Sequence, residues 1–145
     1  MASLKYFIST LMLRIYEDLN EKEKTGLAEM REWALAQGDA SEHLIGKLSI
    51  AQRIIDSTVF GEQDVWKMNA VGVLFGDALE NAKGGRLKWV IAEDNSGPAY
   101  ALSWKHTEAL VYPLSAIRSR LEAGEPVDVH ALFQEYSSLF PHRGI

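Results

Sequence analysis

The spacing of hydrophobic residues changes at Gly84-Gly85, and this change limits the possible folds more than any other feature of the sequence. Before the two glycines, apolar residues recur every three or four positions, which is typical of amphipathic helices. After them, the side chains alternate with a period of two from Leu87 to Trp104, which is typical of strands. The sequence therefore predicts an α+β domain with a helical N-terminal half, a three-stranded antiparallel meander and two C-terminal helices.

Four helices are predicted before the glycine pair. The first carries an apolar stripe over Leu4–Leu19, and the second begins after Asn20, which forms a capping box with Glu23. Gly38 is expected to end the second helix as a left-handed cap. A third helix follows, and a fourth runs over Asp64–Asn81. The residues expected to face inward on helices two to four are Leu27, Met30, Ala34, Leu44, Leu48, Ala51, Ile55, Val65, Met68, Phe75 and Leu79.

Gly72 and Gly76 lie on or beside the apolar stripe of the fourth helix. A glycine inside a helix costs about 1 kcal/mol relative to alanine, so a close packing contact should compensate for each one. The strands present one bulky face and one face of small residues. Because small residues permit close approach, we expect the glycine-containing helix to pack on the small-residue face, which holds Val90, Ala92, Ala99, Ala101 and Ser103.

Three strands and two helices complete the predicted fold. The strands are Leu87–Glu93, Pro98–Trp104 and Ala109–Tyr112, with a turn at residues 94–97 between the first two. A helix is expected to begin at Pro113, a residue that suits the first helical position, and to end at Gly124. The last helix follows Asp128 as its N-cap, ends at Pro141 and carries Val129, Leu132, Phe133, Tyr136 and Phe140 inward.

The composition is that of one globular domain over residues 1–145, with N-terminal helices in 1–61 and a helix–sheet–helix core in 62–145. Hydrophobic residues make up 47% of the chain and charged residues 24%, which is ordinary for such a domain. The net charge of −5 argues against nucleic acid as a partner, because phosphate binding needs clustered Lys and Arg. The apolar N-terminal run is too short to cross a bilayer. We therefore expect a cytoplasmic protein without a membrane partner.

Trp89, Tyr100 and Trp104 are predicted to share the bulky face of the sheet. Core packing is the favoured interpretation, because aromatic cross-strand pairs commonly stabilise sheets. The alternative is a partner-binding surface, since Trp and Tyr are enriched at binding hot spots. These three residues are therefore kept as candidate partner-binding residues.

Asp77, Glu93 and Arg118 form a second candidate site, a pocket beside the sheet. A pair of carboxylates can perform acid–base chemistry or bind a metal ion, although structural roles are favoured. No catalytic motif is present, and no catalytic residue, metal or cofactor is predicted. Because the chain has no cysteine, thiolate chemistry is excluded. No local metal-ligand spacing connects the four histidines, which are His43, His106, His130 and His142.

An acidic segment lies near the C-terminus. Between Leu121 and Phe140 there is no Lys or Arg, but there are four acidic residues, and these are further candidate partner-binding residues: Glu122, Glu125, Asp128 and Glu135. Acidic residues also favour helix starts and solvated helix faces, which is the simpler explanation of this composition. If a partner binds here, it should be basic, and these charges should affect mainly its association rate.

A series of short motifs occurs in order between residues 72 and 133, a little under half of the chain. The motifs are the run Gly72–Leu79, then Trp89-Val90, Glu93-Asp94 and Gly97, and later Tyr112-Pro113-Leu114, Ile117, Arg120, Glu122, Gly124-Glu125 and Val127-Asp128-Val129. This ordered series resembles a bacterial family of domains of unknown function, family 3806. The resemblance implies a bacterial source and a compact α+β domain, but it implies no reaction and no catalytic residues.

Two functions are consistent with these features. The first is a non-catalytic protein-binding domain, in a specific form an immunity or antitoxin-like protein that binds a toxin. The acidic charge and the absence of catalytic motifs favour it. The alternative is a small-molecule binder or enzyme that uses the pocket beside the sheet. A homodimer is compatible with either function.

Overall fold

The computed structural model describes residues 16–38, 44–94, 97–105 and 109–140, and shows an α+β fold. The described residues form five helices and a four-stranded sheet. In chain order the elements are β1 (Tyr16–Asp18), α1 (Glu21–Leu35), α2 (Leu44–Ser57), a 3-10 turn (Glu62–Asp64), α3 (Val65–Ala82), β2 (Leu87–Asp94), β3 (Gly97–Trp104), β4 (Leu110–Val111), α4 (Pro113–Glu122) and α5 (Val129–Ser137).

The sheet is antiparallel with strand order β1-β2-β3-β4. Asp94 pairs with Gly97, so β2 and β3 form the predicted hairpin. The prediction of three strands is wrong by one, because Tyr16–Asp18 pairs with Val90–Ala92 as an additional edge strand. The first predicted helix therefore does not extend over these three residues, and its preceding residues lie outside the described ranges. The spacing of apolar residues within one segment contains no information about a strand that pairs with it from more than 70 residues away.

The helix starts agree closely with the sequence patterns. The Asn20 side chain accepts from the Glu23 N–H, and Glu23 accepts from the Asn20 N–H, both at 2.8 Å, which confirms the capping box. At the start of α5, the Asp128 side chain accepts from the Ala131 N–H at 3.0 Å. Gly124 follows α4 with φ of 74°, a conformation that favours glycine. The predicted left-handed cap at Gly38 is wrong, because α1 already ends at Leu35 with Ala36 as its C-cap.

Helix α3 lies at the centre of the fold, in contact with α1, α2, α4, α5 and β2. Every residue from Ala70 to Leu79 is buried, so this helix is apolar nearly all round rather than on one stripe. Val65, which was predicted to face inward, is instead partly exposed because it lies in the first turn, before the helix enters the core. The inward prediction is confirmed for Leu27, Met30, Ala34, Leu48, Ala51, Met68, Phe75 and Leu79.

The glycines of α3 permit close approach, but not to the predicted face of the sheet. A methyl group at Gly72 would come within 2.5 Å of the Leu114 Cα, and one at Gly76 would overlap the Trp89 ring. Helix α3 therefore packs on the bulky face and against the start of α4, so the assignment to the small-residue face is wrong. The glycines remove side chains where a backbone and a large indole must fit. Val90, Ala92 and Ala101 are also buried and form a separate cluster on the other face.

Candidate functional site

Asp77 is a buried carboxylate with three hydrogen-bond donors around it. Arg31 of α1 donates from Nε to Oδ2 at 2.6 Å and from Nη2 to Oδ1 at 3.0 Å. The indole Nε1–H of Trp89 donates to Oδ1 at 3.0 Å. Hydrogen bonding to Asp77 raises the pKa of Arg31. The two oxygens of Asp77 accept three hydrogen bonds in total, so most of their acceptor capacity is used inside the protein.

Glu80 lies one turn further along α3, and its environment disfavours the charged form of its carboxyl group. Burial raises the pKa of Glu80 above its ordinary value, and the charge of Asp77 raises it further. The nearby cations Arg31, Lys47 and Lys105 offset part of this effect. Asp77 and Glu80 thus form a small network in which one carboxylate is paired and the other is partly desolvated.

The three predicted aromatic residues of the sheet make internal contacts. Trp89 and Tyr100 pack edge to face with ring centroids 6.5 Å apart, and the Tyr100 hydroxyl donates to the Glu23 carbonyl at 2.7 Å. Trp104 is buried and stacks on Phe140 at 5.2 Å. In the described structure these aromatic rings serve packing between the sheet and the helices, which is the interpretation that the sequence favoured.

A cavity of about 450 Å³ opens between the start of α3 and the end of α4. Its apolar lining is formed by Phe60, Met68 and Leu121, which come from three separate parts of the chain. Glu62 and Glu122 also line it, and both side chains are exposed. The cavity therefore combines an apolar lining with two carboxylates at the surface.

More carboxylates surround the connection between α4 and α5. The Gln52 side chain holds this connection in place: its Nε2 donates to the Val127 carbonyl at 3.0 Å, and its Oε1 accepts from the Val129 N–H at 2.8 Å. The same Nε2 donates to Asp56 Oδ1 at 2.9 Å, so Asp56 of α2 lies beside the connection. Glu125 and Asp128, which belong to the connection itself, are exposed.

The predicted acidic residues are not equivalent. The Arg118 Nε lies 4.0 Å from the Glu122 carboxylate, which is a long contact. Glu135 faces a different part of the surface, where it lines two cavities together with Arg120. Glu122 therefore belongs to the lining of the Phe60 cavity, and Glu125 is exposed three residues further along the chain. Glu135, by contrast, has a cation beside it.

The candidate pocket residues Asp77, Glu93 and Arg118 are placed in different environments. Asp77 is buried and accepts three hydrogen bonds, Glu93 lines a cavity beside β1, and Arg118 lines a cavity beside α3. Of the predicted histidines, His130 is exposed on α5 and the other three lie outside the described residues. Within the described ranges, no group of three or more acidic and histidine residues could hold a metal ion.

Sequence reasoning missed the parts of the cavity that come from the α2–α3 connection, namely Phe60 and Glu62. It also missed Asp56 and the ion pair of Arg31 with Asp77, whose residues are 46 positions apart. A single sequence carries no signal that connects such distant positions. The available local signal was Gly61 followed by two acidic residues, which is typical of a helix start. No helix of the described residues is long and apolar enough to cross a membrane.

Comparisons with known proteins identify a family and a fold. No curated protein matches the chain in sequence. A crystal structure of a Bacteroides thetaiotaomicron VPI-5482 protein, determined at 1.50 Å, is similar with a TM-score of 0.72 and 18% identity. The similarity covers 86% of this chain and 47% of that protein, so the chain spans about half of its length. The model of a domain of unknown function, DUF3806, matches residues 47–133. The chain therefore belongs to the DUF3806 family.

Proposed function

We propose that this domain is a non-catalytic protein-binding module that takes a basic segment of another protein. The cavity lined by Phe60, Met68 and Leu121 and bordered by Glu62 and Glu122 carries the proposal. An apolar lining can receive an apolar or aromatic anchor side chain, and the surrounding carboxylates attract Lys and Arg beside that anchor. We call these five residues the acidic cleft, and we include in it the exposed Glu125, which follows Glu122 by three residues in the chain.

Charge supports a basic partner in two ways. The whole chain has a net charge of −5, which favours encounter with a positively charged molecule over long distances. The α4–α5 connection, which follows Glu122 in the chain, carries the exposed Asp128, and Asp56 of α2 lies beside the same connection. The cation described nearest to Glu122 is Arg118, at a distance of 4.0 Å that leaves the carboxylate available to a closer partner.

As part of the same proposal, the domain works in the bacterial cytoplasm, and its partner is a toxin that it neutralises as an immunity or antitoxin-like protein. The acidic charge and size of the chain support this reading, as does the bacterial source of the similar structure. The alternative, a small-molecule binder or enzyme built on Asp77, Glu93 and Arg118, has less support. Asp77 already accepts three hydrogen bonds inside the chain, so it is poorly suited to abstract a proton from a substrate.

The test compares two triple variants with the same change in charge. The first, Glu62→Gln/Glu122→Gln/Glu125→Gln, neutralises the acidic cleft. The matched control, Glu21→Gln/Glu29→Gln/Glu32→Gln, neutralises three exposed residues of α1. Each tagged protein is incubated with lysate of its own source at low and moderate salt, and bound proteins are identified by mass spectrometry and then purified for kinetic measurement.

We expect a basic partner to bind the parent and the α1 variant, and to bind the cleft variant with a lower association rate and a weaker salt dependence. A Met68→Asp variant that folds should lose binding at all salt concentrations, because it places a charge in the apolar lining. Equal binding by the cleft variant and the α1 control would contradict the proposal, as would a partner that is acidic or absent.

A further inference from the structure

A second cavity, of about 230 Å³, lies where β3, α3 and α4 meet. Three of the residues that line it are apolar, namely Pro98, Ala99 and Leu114. The other residues that line it are polar or amphipathic: Asn69 of α3, Ser115 and Arg118 of α4, and Tyr100 of β3. None of the described residues that line this cavity is acidic, although the chain as a whole has a net charge of −5.

Arg118 provides the positive charge of this cavity, and its described contacts are weak. Its Nη1 donates to Asn69 Oδ1 at 3.3 Å, and its Nε lies 4.0 Å from Glu122 Oε2. A guanidinium has five N–H donors, which match a carboxylate in a two-pronged geometry. Arg31 is better paired than Arg118, since it donates to the two oxygens of Asp77 at 2.6 and 3.0 Å.

From these features we infer a binding site for a small organic monocarboxylate in this cavity. The carboxylate of the ligand accepts from the Arg118 guanidinium, and the amide of Asn69 and the hydroxyl of Ser115 provide further donors. The apolar body of the ligand packs on Pro98, Ala99 and Leu114. The volume is below that of cavities for drug-sized ligands, which start at about 300 Å³, so the ligand is a short aliphatic or a single-ring acid.

The position of Glu122 beside Arg118 predicts how substitutions should change ligand binding at this site. Glu122 is the carboxylate described nearest to Arg118, so a ligand carboxylate competes with it for the same guanidinium. Removing the charge of Glu122 should therefore strengthen ligand binding, while removing the charge of Arg118 should weaken it. A site that attracted acids only through general surface charge would not distinguish Arg118 from Arg120, which is two residues away on the same helix and donates to the Ala116 carbonyl.

The experiment is a titration of the full chain with benzoate and butyrate, followed by ¹H–¹⁵N NMR. The uncharged analogues benzamide and butyramide test whether the carboxylate is recognised. The variants are Arg118→Gln, Glu122→Gln and the control Arg120→Gln, each checked for folding by circular dichroism. This inference is independent of the acidic cleft, since the titration contains no protein partner.

We expect saturable shifts of the amides near Ala99 and Ser115 with at least one acid at millimolar concentrations, and smaller shifts with the amides. Arg118→Gln should weaken binding about tenfold or more, because a charge-assisted pair is lost, while Glu122→Gln should strengthen it and Arg120→Gln should leave it unchanged. Equal binding of acids and amides, equal effects of the two arginine variants, or no saturable shift with either acid would overturn the assignment.

Discussion

The two ends of α3 differ in how far their side chains are buried and hydrogen-bonded within the protein. Toward its C-terminal end, Asp77 is only 3% exposed and accepts three hydrogen bonds. At its N-terminal end, Trp66 remains 46% exposed although its ring packs edge to face on Trp33 at 5.8 Å. The cavity with Glu62 opens beside the same end.

This difference separates polar side chains that stabilise the fold from those that can take part in recognition. A buried charge with complete pairing is explained by the fold itself, because an unpaired charge there would be strongly unfavourable. Exposed carboxylates beside an apolar cavity are solvated by water and are not held by such pairing, so they can pair with a charged partner. The C-terminal part of α3 is therefore expected to govern stability and the cleft at its start to govern recognition.

The largest expected effect is that of Asp77→Asn, which leaves the Arg31 guanidinium without its carboxylate. We expect the free energy of unfolding to fall by about 3 kcal/mol, the lower end of the range for breaking a buried pair, because the Arg31 side chain is 33% exposed and can be partly hydrated. Urea denaturation measures the change. Adding Arg31→Met should restore part of the stability, since it removes the unpaired charge. A loss below about 1 kcal/mol would show that the pair is dispensable.

A second large effect is expected from Gly72→Ala. The added methyl group would lie 2.5 Å from the Leu114 Cα, and a backbone atom can move away only if α4 shifts as a whole. We expect a loss of about 1–3 kcal/mol, despite the helix propensity of alanine. Gly26→Ala on α1 is the control, because its methyl group would meet only the Tyr100 hydroxyl at 3.0 Å. Equal midpoints for the two variants in urea would mean that α4 adapts freely.

The sequence predicted elements much better than contacts between them. The capping box at Asn20, the cap at Asp128 and the turn after α4 were recognised because each depends on residues within a few positions. The strand at Tyr16–Asp18 was not recognised, because its identity depends on pairing with β2. Gly72 and Gly76 correctly indicated close packing, but their partners were wrong, because spacing along one helix contains no information about which element approaches it.

The candidate sites show the same limit. Glu122 and Arg118 could be selected from the sequence as charged residues near helix ends. Their cavities could not be predicted, because Phe60, Glu62 and Asn69 from other parts of the chain also line them. Asp77 was selected as a carboxylate of interest. Its donors Arg31 and Trp89 are 46 and 12 residues away in sequence, and only the fold brings them together.

A smaller effect is expected from the pH dependence of Glu80. Because burial raises the pKa of Glu80 in the folded state above its ordinary value of 4.5, the folded state holds its proton more tightly than the unfolded state does. The stability from this proton is complete below the ordinary value and is lost as pH rises through the raised value. At neutral pH, Glu80→Gln should therefore stabilise the protein by about 1 kcal/mol or less, since the side chain is partly exposed to solvent.

The difference in melting temperature between Glu80→Gln and the parent should shrink as pH falls from 7 toward the ordinary carboxylate pKa, because the parent then gains its own proton. Comparing the two proteins at each pH cancels the titration of the groups that they share. Glu29→Gln, on the exposed face of α1, controls for the loss of one negative charge. A difference that does not change with pH would show that folding does not raise the pKa of Glu80. A Gln variant that melts below the parent at pH 7, by a deficit that closes on acidification, would show that Arg31, Lys47 and Lys105 stabilise Glu80 as an anion.

The smallest effect on stability is expected at the start of α3, from Glu62→Gln combined with Glu122→Gln. Both side chains are exposed, and the long contact of Glu122 with Arg118 is of a kind that contributes little. The free energy of unfolding should change by less than about 0.5 kcal/mol, and at low salt it should rise rather than fall, because two like charges at one cavity are removed. Urea midpoints at low and high salt measure this. A loss above about 1 kcal/mol would place these carboxylates with Asp77 as part of the fold, and the contrast between the two ends of α3 would then no longer support a binding role for the acidic cleft.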